Sequence, residues 1–188
     1  QVNEIHIVSV CGECKEIIAL TSNAEQSSVK VFCVDDDRVF SFLSSERHPQ
    51  QIAADIKPGM MLFEPNASVM KSGEWGLICH RFGMEAIADN SHLFVREKMK
   101  GGVPDGEATV TDFPGRTFEI VRLSSMNRRE IKPFLCGVEH ANIAVRNFPM
   151  SAVELRRRLK IADGGDNYIF ATTAENGNHI LIMCKKSG

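Results

Sequence analysis

The chain reads as an α/β (α+β) protein, and three observations predict it. From Thr117 to Cys184 the signals run strand, helix, strand, helix, strand, strand, which makes a β-α-β-α-β-β module with its helices on one face of a sheet. Residues 1–45 carry short β-branched runs of strand character. Charge is sharply divided. Residues 116–160 hold ten Arg or Lys against four Glu, a net of +6, while residues 1–115 hold ten basic against seventeen acidic residues, a net of −7. Residues 161–188 add −1, and the three parts sum to the −2 of the whole chain. One part of the chain can therefore face a polyanion that the other part would repel.

The elements follow in order. Residues 5–10 (IHIVSV) read as a buried strand, and the following ECKEIIAL as either a short helix or a second strand. VKVFCV and RVFSFL flank Asp35–Asp37 and read as a hairpin. The polar stretch 46–50 marks a boundary. A helix is expected from Trp75 to Phe82 and a strand at HLFVRE, and Lys98–Gly106, rich in Gly and Lys, reads as a mobile loop. TFEIVRL alternates as a strand does. Asn127–Gly137 is helical, with Pro133 expected to kink or restart it because proline removes a backbone donor. ANIAVRNF is the next strand. Ser151 with Glu154 three residues on forms a capping box, with Met150 and Leu155 placed as a hydrophobic staple. Asp163–Asp166, with two Gly, is expected to stop that helix. YIFATT and HILIMC flank AENGN, where Asn176-Gly177 suits a tight turn.

Composition excludes several classes. At 188 residues the chain suits one or two domains. No apolar run is long enough to span a bilayer and no signal sequence opens it, so no membrane partner is expected. Six Cys without the spacing of a disulfide scaffold point to reduced thiols and a cytoplasmic location. A strand-like run begins within a few residues of Gln1, which reads as a piece cut from a longer protein.

On a helical wheel Ala152, Leu155 and Leu159 share one stripe, Arg157 lies opposite, Arg156 and Lys160 lie between, and Arg158 falls on the other flank. Guanidinium forks match phosphate geometry. An ordinary solvated face is the competing reading, and the surrounding charge asymmetry favours a phosphate-binding surface. The expected RNA-contacting set is Arg128, Arg129, Arg146, Arg156, Arg157 and Lys160, with Phe148 as the stacking partner. Cys11 and Cys14 have the spacing of a redox or metal pair, but nothing completes a Zn site, so they are expected to be buried structural thiols. Asp163–Asp166 offers too few oxygens for Ca²⁺. The histidines have no ligand spacing. No catalytic residue and no metal site are assigned. Asn66, after Pro65, suits the cap of a short helix running to Met70.

Four stretches, EIHIVSVCGECKEII, MLFEPNASVMKSG, DFPGRTFEIV and VRNFPMSAVELRRRLKIADGGDNYIFATT, resemble the C-terminal part of bacterial class I S-adenosylmethionine-dependent methyltransferases that end in a THUMP-like domain. The resemblance runs with gaps over nearly the whole chain. The fold it implies is a small THUMP-like/ferredoxin-like C-terminal module behind the terminal strands of a truncated Rossmann-like catalytic domain. Residues 1–45 would be the last catalytic-domain strands, 46–116 a connecting region holding the Glu64-Pro65-Asn66-Ala67 segment, and 117–188 the THUMP-like RNA-binding module. The partners it implies are RNA, transfer RNA among them, and the chain's own catalytic domain upstream. Dimers through exposed strand edges are a further expectation. It also implies that Glu64 and Asn66 face the catalytic pocket. Gly12 stands where the family pattern has Asn. The chain lacks a strand followed by a Gly-x-Gly turn, so S-adenosylmethionine is expected in the parent protein and no cofactor in this region. A protein-interaction module, its basic face bound to an acidic partner or to its own acidic half, is the alternative.

Overall fold

In a computed structural model of the chain, residues 1–23, 26–98 and 112–187 are described. The expected loop at Lys98–Gly106 lies outside them apart from Lys98. Strands β1 (Val2–Val10) and β2 (Glu13–Thr21) form a hairpin about Cys11 and Gly12, which take φ of 52° and 78°. Positive φ at both central residues is what a two-residue turn between right-twisted strands requires. The segment left open between helix and strand is thus a strand, β2. Strand β3 (Lys30–Asp35) runs parallel to β1, and β4 (Arg38–Leu43) returns antiparallel to β3. The order of this first sheet is β2-β1-β3-β4.

The remaining elements are β5 (Met61–Pro65), α1 (Ala67–Ser72), α2 (Trp75–Phe82), β6 (Glu85–Ala86), β7 (Phe94–Arg96), β8 (Gly115–Ser125), α3 (Arg128–Phe134), β9 (Asn142–Arg146), α4 (Ala152–Leu159), β10 (Asn167–Thr173) and β11 (His179–Lys186). From β8 onward they follow the β-α-β-α-β-β order read from the sequence, and the chain is α+β. Their strands join a second sheet ordered β6-β7-β5-β8-β11-β10-β9. Strand β5 pairs β8 antiparallel from Met61↔Glu119 to Pro65↔Gly115. The stretch read as a connection, 46–116, therefore supplies three strands to the sheet that the C-terminal module completes.

Alternate residues sort the cores. Leu62, Val95, Phe118, Ile120, Phe170 and Ile182 share one buried cluster with the half-buried Ala144, so strands from β7 to β9 meet on one side. A flat sheet would keep β5 and β9 apart; the twisted sheet curls until its inner side chains touch. On the outer side Phe134, Leu155 and Leu159 of α3 and α4 pack on Ile169, Ala171, Leu181 and Met183. Met61, Phe63 and Phe94 face away from the inner cluster and pack with α2 and with Ile7, Cys33, Phe40 and Phe42 of the first sheet.

Helix ends follow their side chains. Asn66 Oδ1 accepts from Val69 N at 3.0 Å and caps α1, as expected, and Gly73 at φ 74° ends it. Helix α2 occupies the predicted Trp75–Phe82, and Arg81 on it donates to Ser41 O and to Glu46 Oε2, both at 2.7 Å, tying α2 to the first sheet. Helix α3 ends at Phe134, one residue past Pro133, and does not restart. Helix α4 stops at Lys160, which takes the left-handed conformation at φ 57°. Asp163–Asp166 comes after the stop and does not cause it. Among the described residues no helix is long and apolar enough to cross a membrane.

Candidate nucleic-acid interface

The helix carrying most of the expected contacts is locked at its start. Ser151 Oγ accepts from Glu154 N at 3.2 Å and Glu154 Oε2 accepts from Ser151 N at 2.8 Å, completing the capping box. Accepting from Ser151 N and from Ser151 Oγ holds the Glu154 carboxyl below its ordinary pKa. Leu155 and Leu159 bury the apolar edge, and Arg157, Arg158 and Lys160 are exposed. Helix α3 is capped by Asn127, whose side chain accepts from Arg129 N at 3.0 Å. Its Arg128 and Lys132, one turn apart, face α4. Arg128 and Lys132 with Arg158 and Lys160 line a hollow of about 780 Å³ floored by Ile131 and Leu135.

The structure therefore brings together two of the expected residues, Arg128 and Lys160, and adds Lys132 and Arg158. Arg129 and Arg157 are exposed but do not line the hollow. Arg156 is half-buried and paired with Asp163. Lys132 could have been found from its i+4 spacing to Arg128. Arg158 could not, because the wheel shows where it points but not that α3 lies there.

Arg146 lies on the other side of the sheet. Its position alternates with Ala144, on the inner face, and its Nη2 donates to Glu64 Oε1 at 2.8 Å. Arg116, directly cross-strand from Glu64, donates from Nε to Glu64 Oε2 at 2.9 Å and from Nη2 to the same oxygen. Glu64 is 2 % exposed. A carboxylate so buried needs partners, and two guanidinium groups supply them. The triad lies at one end of a cavity of about 560 Å³ that Asn66, Cys11, Gly12 and the Asp35–Arg38 turn also line. Glu64 and Asn66 thus share a cleft, and Arg146 belongs to it and not to the α3–α4 face. Phe148, the expected stacking residue, is half-buried with its ring edge-to-face on His179 at 5.4 Å.

Cys11 and Cys14, expected to be buried, are exposed, because they sit on the turn and on β2, the edge strand whose nine residues are all exposed. Cys136 is exposed as well, while Cys33, Cys79 and Cys184 are buried. Burial pushes the Cys33 thiol up to about 11 and raises those of Cys79 and Cys184. Since the thiolate is the reactive form, a disulfide reagent at neutral pH should titrate Cys11, Cys14 and Cys136 quickly and the other three only after denaturation. Six fast thiols in the native protein would show that the inner sheet faces are open. Among the described residues no three His, Cys, Asp or Glu converge as a metal site.

Two family models match parts of the chain. One, described as THUMP domain-like, matches residues 115–186, and the other, a ferredoxin-like domain, matches residues 61–104. A crystal structure of a candidate methyltransferase from Porphyromonas gingivalis W83 is similar over 100% of this chain, with a TM-score of 0.82 and 28% sequence identity. This chain covers 46% of that one. No curated protein matches.

Proposed function

We propose that the chain is the substrate-recognition region of an S-adenosylmethionine-dependent methyltransferase and that it binds RNA, transfer RNA being the substrate class the THUMP-like likeness favours. The observation that carries this reading is the four-cation hollow between α3 and α4 on the module that matches the THUMP domain-like model. No carboxylate of residues 1–115 forms an ion pair with those four cations among the described residues. They remain available for phosphate, which Arg and Lys bind without reading base identity.

The likeness to a protein more than twice as long leaves room for a catalytic domain outside this region, and we place it before residue 1. Residues 1–45 then complete its sheet. All nine residues of β2 are exposed at the sheet edge, including Ile17, Ile18 and Leu20. An uncovered apolar edge strand is a pairing site, and we assign it to that domain; pairing between two copies is the competing outcome. The cofactor would be held there too. Gly164-Gly165 lies in the turn between α4 and β10, not between a strand and a following helix, and Gly101-Gly102 lies outside the described residues. No residue of this chain is assigned to S-adenosylmethionine, and methyl transfer is not expected of the chain alone.

The test is filter binding of structured RNA over a range of salt. Four phosphate contacts at roughly −0.7 each give a log–log slope of about −3. Replacing Arg128, Lys132, Arg158 and Lys160 with Ala should bring the slope close to zero. The fold should stand, since these side chains are exposed, Ala is a good helix former at 128, 132 and 158, and at the left-handed Lys160 it replaces another residue with a Cβ. Equal slopes in the two proteins, or no retention at low salt, would leave the protein-interaction reading in its place.

A further inference from the structure

The cleft at Glu64 has an unusual charge make-up for a nucleic-acid surface. Its lining carries Arg38, Arg116 and Arg146 against Asp35, Asp36, Asp37 and Glu64, so it is not basic. Three of the four carboxylates are gathered at one turn, beside Arg38. Asp36 and Asp37 stand on the tight β3–β4 turn of the first sheet, and Asp36 holds a φ of 51° there. Arg116 stands across the cavity on β8. Glu64 consumes Nε and Nη2 of Arg116 but leaves Nη1, and 53% of the Arg116 side chain is open to solvent. Asn66 spends its Oδ1 on Val69 N and Ser68 Oγ, at 3.0 and 2.9 Å, which leaves its amide hydrogens to the cleft.

The position is informative as well. Strands β1 and β3 are parallel, and the Cys11-Gly12 and Asp35–Asp37 turns are their carboxyl ends. Both turns line the cavity. The turns are held against the second half of the molecule. Ser9 Oγ, fully buried, donates to Asp35 Oδ1 at 2.5 Å, lies 3.2 Å from Val34 O, and accepts from Ser68 N at the start of α1 at 3.2 Å. Arg38 and Asn66, which line the cavity of about 560 Å³, also line a second hollow of about 280 Å³.

The geometry points to a site for one unstacked nucleotide of the substrate RNA. Its phosphate would accept from Arg116 and Arg38, its base or ribose donors would reach the Asp36 and Asp37 carboxylates, and Asn66 would donate to a base acceptor. A duplex backbone, presenting phosphates alone, would meet the Asp turn and be repelled. The volume suits a nucleotide better than a free amino acid, which carries both charges on a much smaller frame. This inference rests on the RNA reading above but uses a different face of the sheet.

The experiment is titration of nucleoside 5′-monophosphates into the isotopically labelled chain, followed by amide shifts. Expected are shifts at Gly12, Asp36, Asn66 and Arg116, and affinity at least tenfold above that of inorganic phosphate, the bare nucleoside or glutamate. Arg116→Ala should weaken binding at least tenfold. Because that variant also loosens Glu64, Arg38→Ala and Asp37→Asn, both at the exposed turn and in no ion pair among the described residues, are expected to weaken it severalfold with an unchanged melting temperature. No shifts in the cleft, equal binding of glutamate, or full affinity in all three variants would overturn the site. RNA retention by the α3–α4 face with a silent cleft would overturn this inference alone. Nucleotide shifts in the cleft without RNA retention at low salt would uphold the cleft and overturn the RNA reading.

Discussion

A Glu64→Ala variant is expected to lose about 3 kcal/mol of folding stability, near the lower end of what breaking a buried ion pair costs. Two terms contribute. Arg146, 31% exposed and lying on the inner sheet face, loses its carboxylate and keeps only a bond to Val145 O. Arg116, more exposed, can turn to water, which limits the loss. Glu64→Gln should cost less, about 1–2 kcal/mol, because the amide oxygen still accepts one of the guanidinium bonds. Arg146→Ala and Arg116→Ala should each cost less than Glu64→Ala, since either leaves the carboxylate one partner. Urea unfolding of the four variants checks the order. A Glu64→Ala chain as stable as the wild type would mean that the curl of the sheet does not depend on the triad.

Gly76→Ala is expected to be as damaging, although no side chain is removed. Residue 76 is buried on α2, where the chain at His48 and Pro49 crosses the helix. A Cβ there would stand 1.8 Å from His48 O and 3.0 Å from Pro49 C. Both obstacles are backbone, so neither can swing aside as a side chain would. Overpacking of this kind costs about 3 kcal/mol, which for a chain of this length lowers the melting temperature by roughly 6–12 °C. It should also loosen the Arg81 bonds to Ser41 and Glu46. Thermal melts by circular dichroism decide it, and an unshifted midpoint would mean that the chain at His48 and Pro49 can move away from α2 at little cost.

Local signals were the legible ones. The α2 boundaries, the Asn66 cap, the Ser151–Glu154 box and the order of the last six elements all follow from neighbours in sequence, and all stand in the structure. What sequence could not show was which elements meet. Strand β5 reads as a short apolar run in a connecting stretch, and only its pairing with β8, more than fifty residues on, gives it a place in the sheet. The same limit split the basic set. Charge density drew Arg146 and the α4 arginines together, but alternation along β9 sends Arg146 inward to a carboxylate eighty-two residues away. Cys11 and Cys14 were misplaced because their spacing does not show that they lie on a turn and on the strand that ends the sheet.

The two faces of the curled sheet have a consequence for the size of the ligand. Helices α3 and α4 stand on its outer side, while Glu64, Arg116 and Arg146 close the inner side. A straight rod cannot touch both. An RNA occupying the two sites would have to bend around the module, so a short oligonucleotide would reach one site at a time and gain nothing from the second. Binding strength should then rise in a step, not gradually, once the strand is long enough to span both, because the second contact becomes an intramolecular event at high effective concentration.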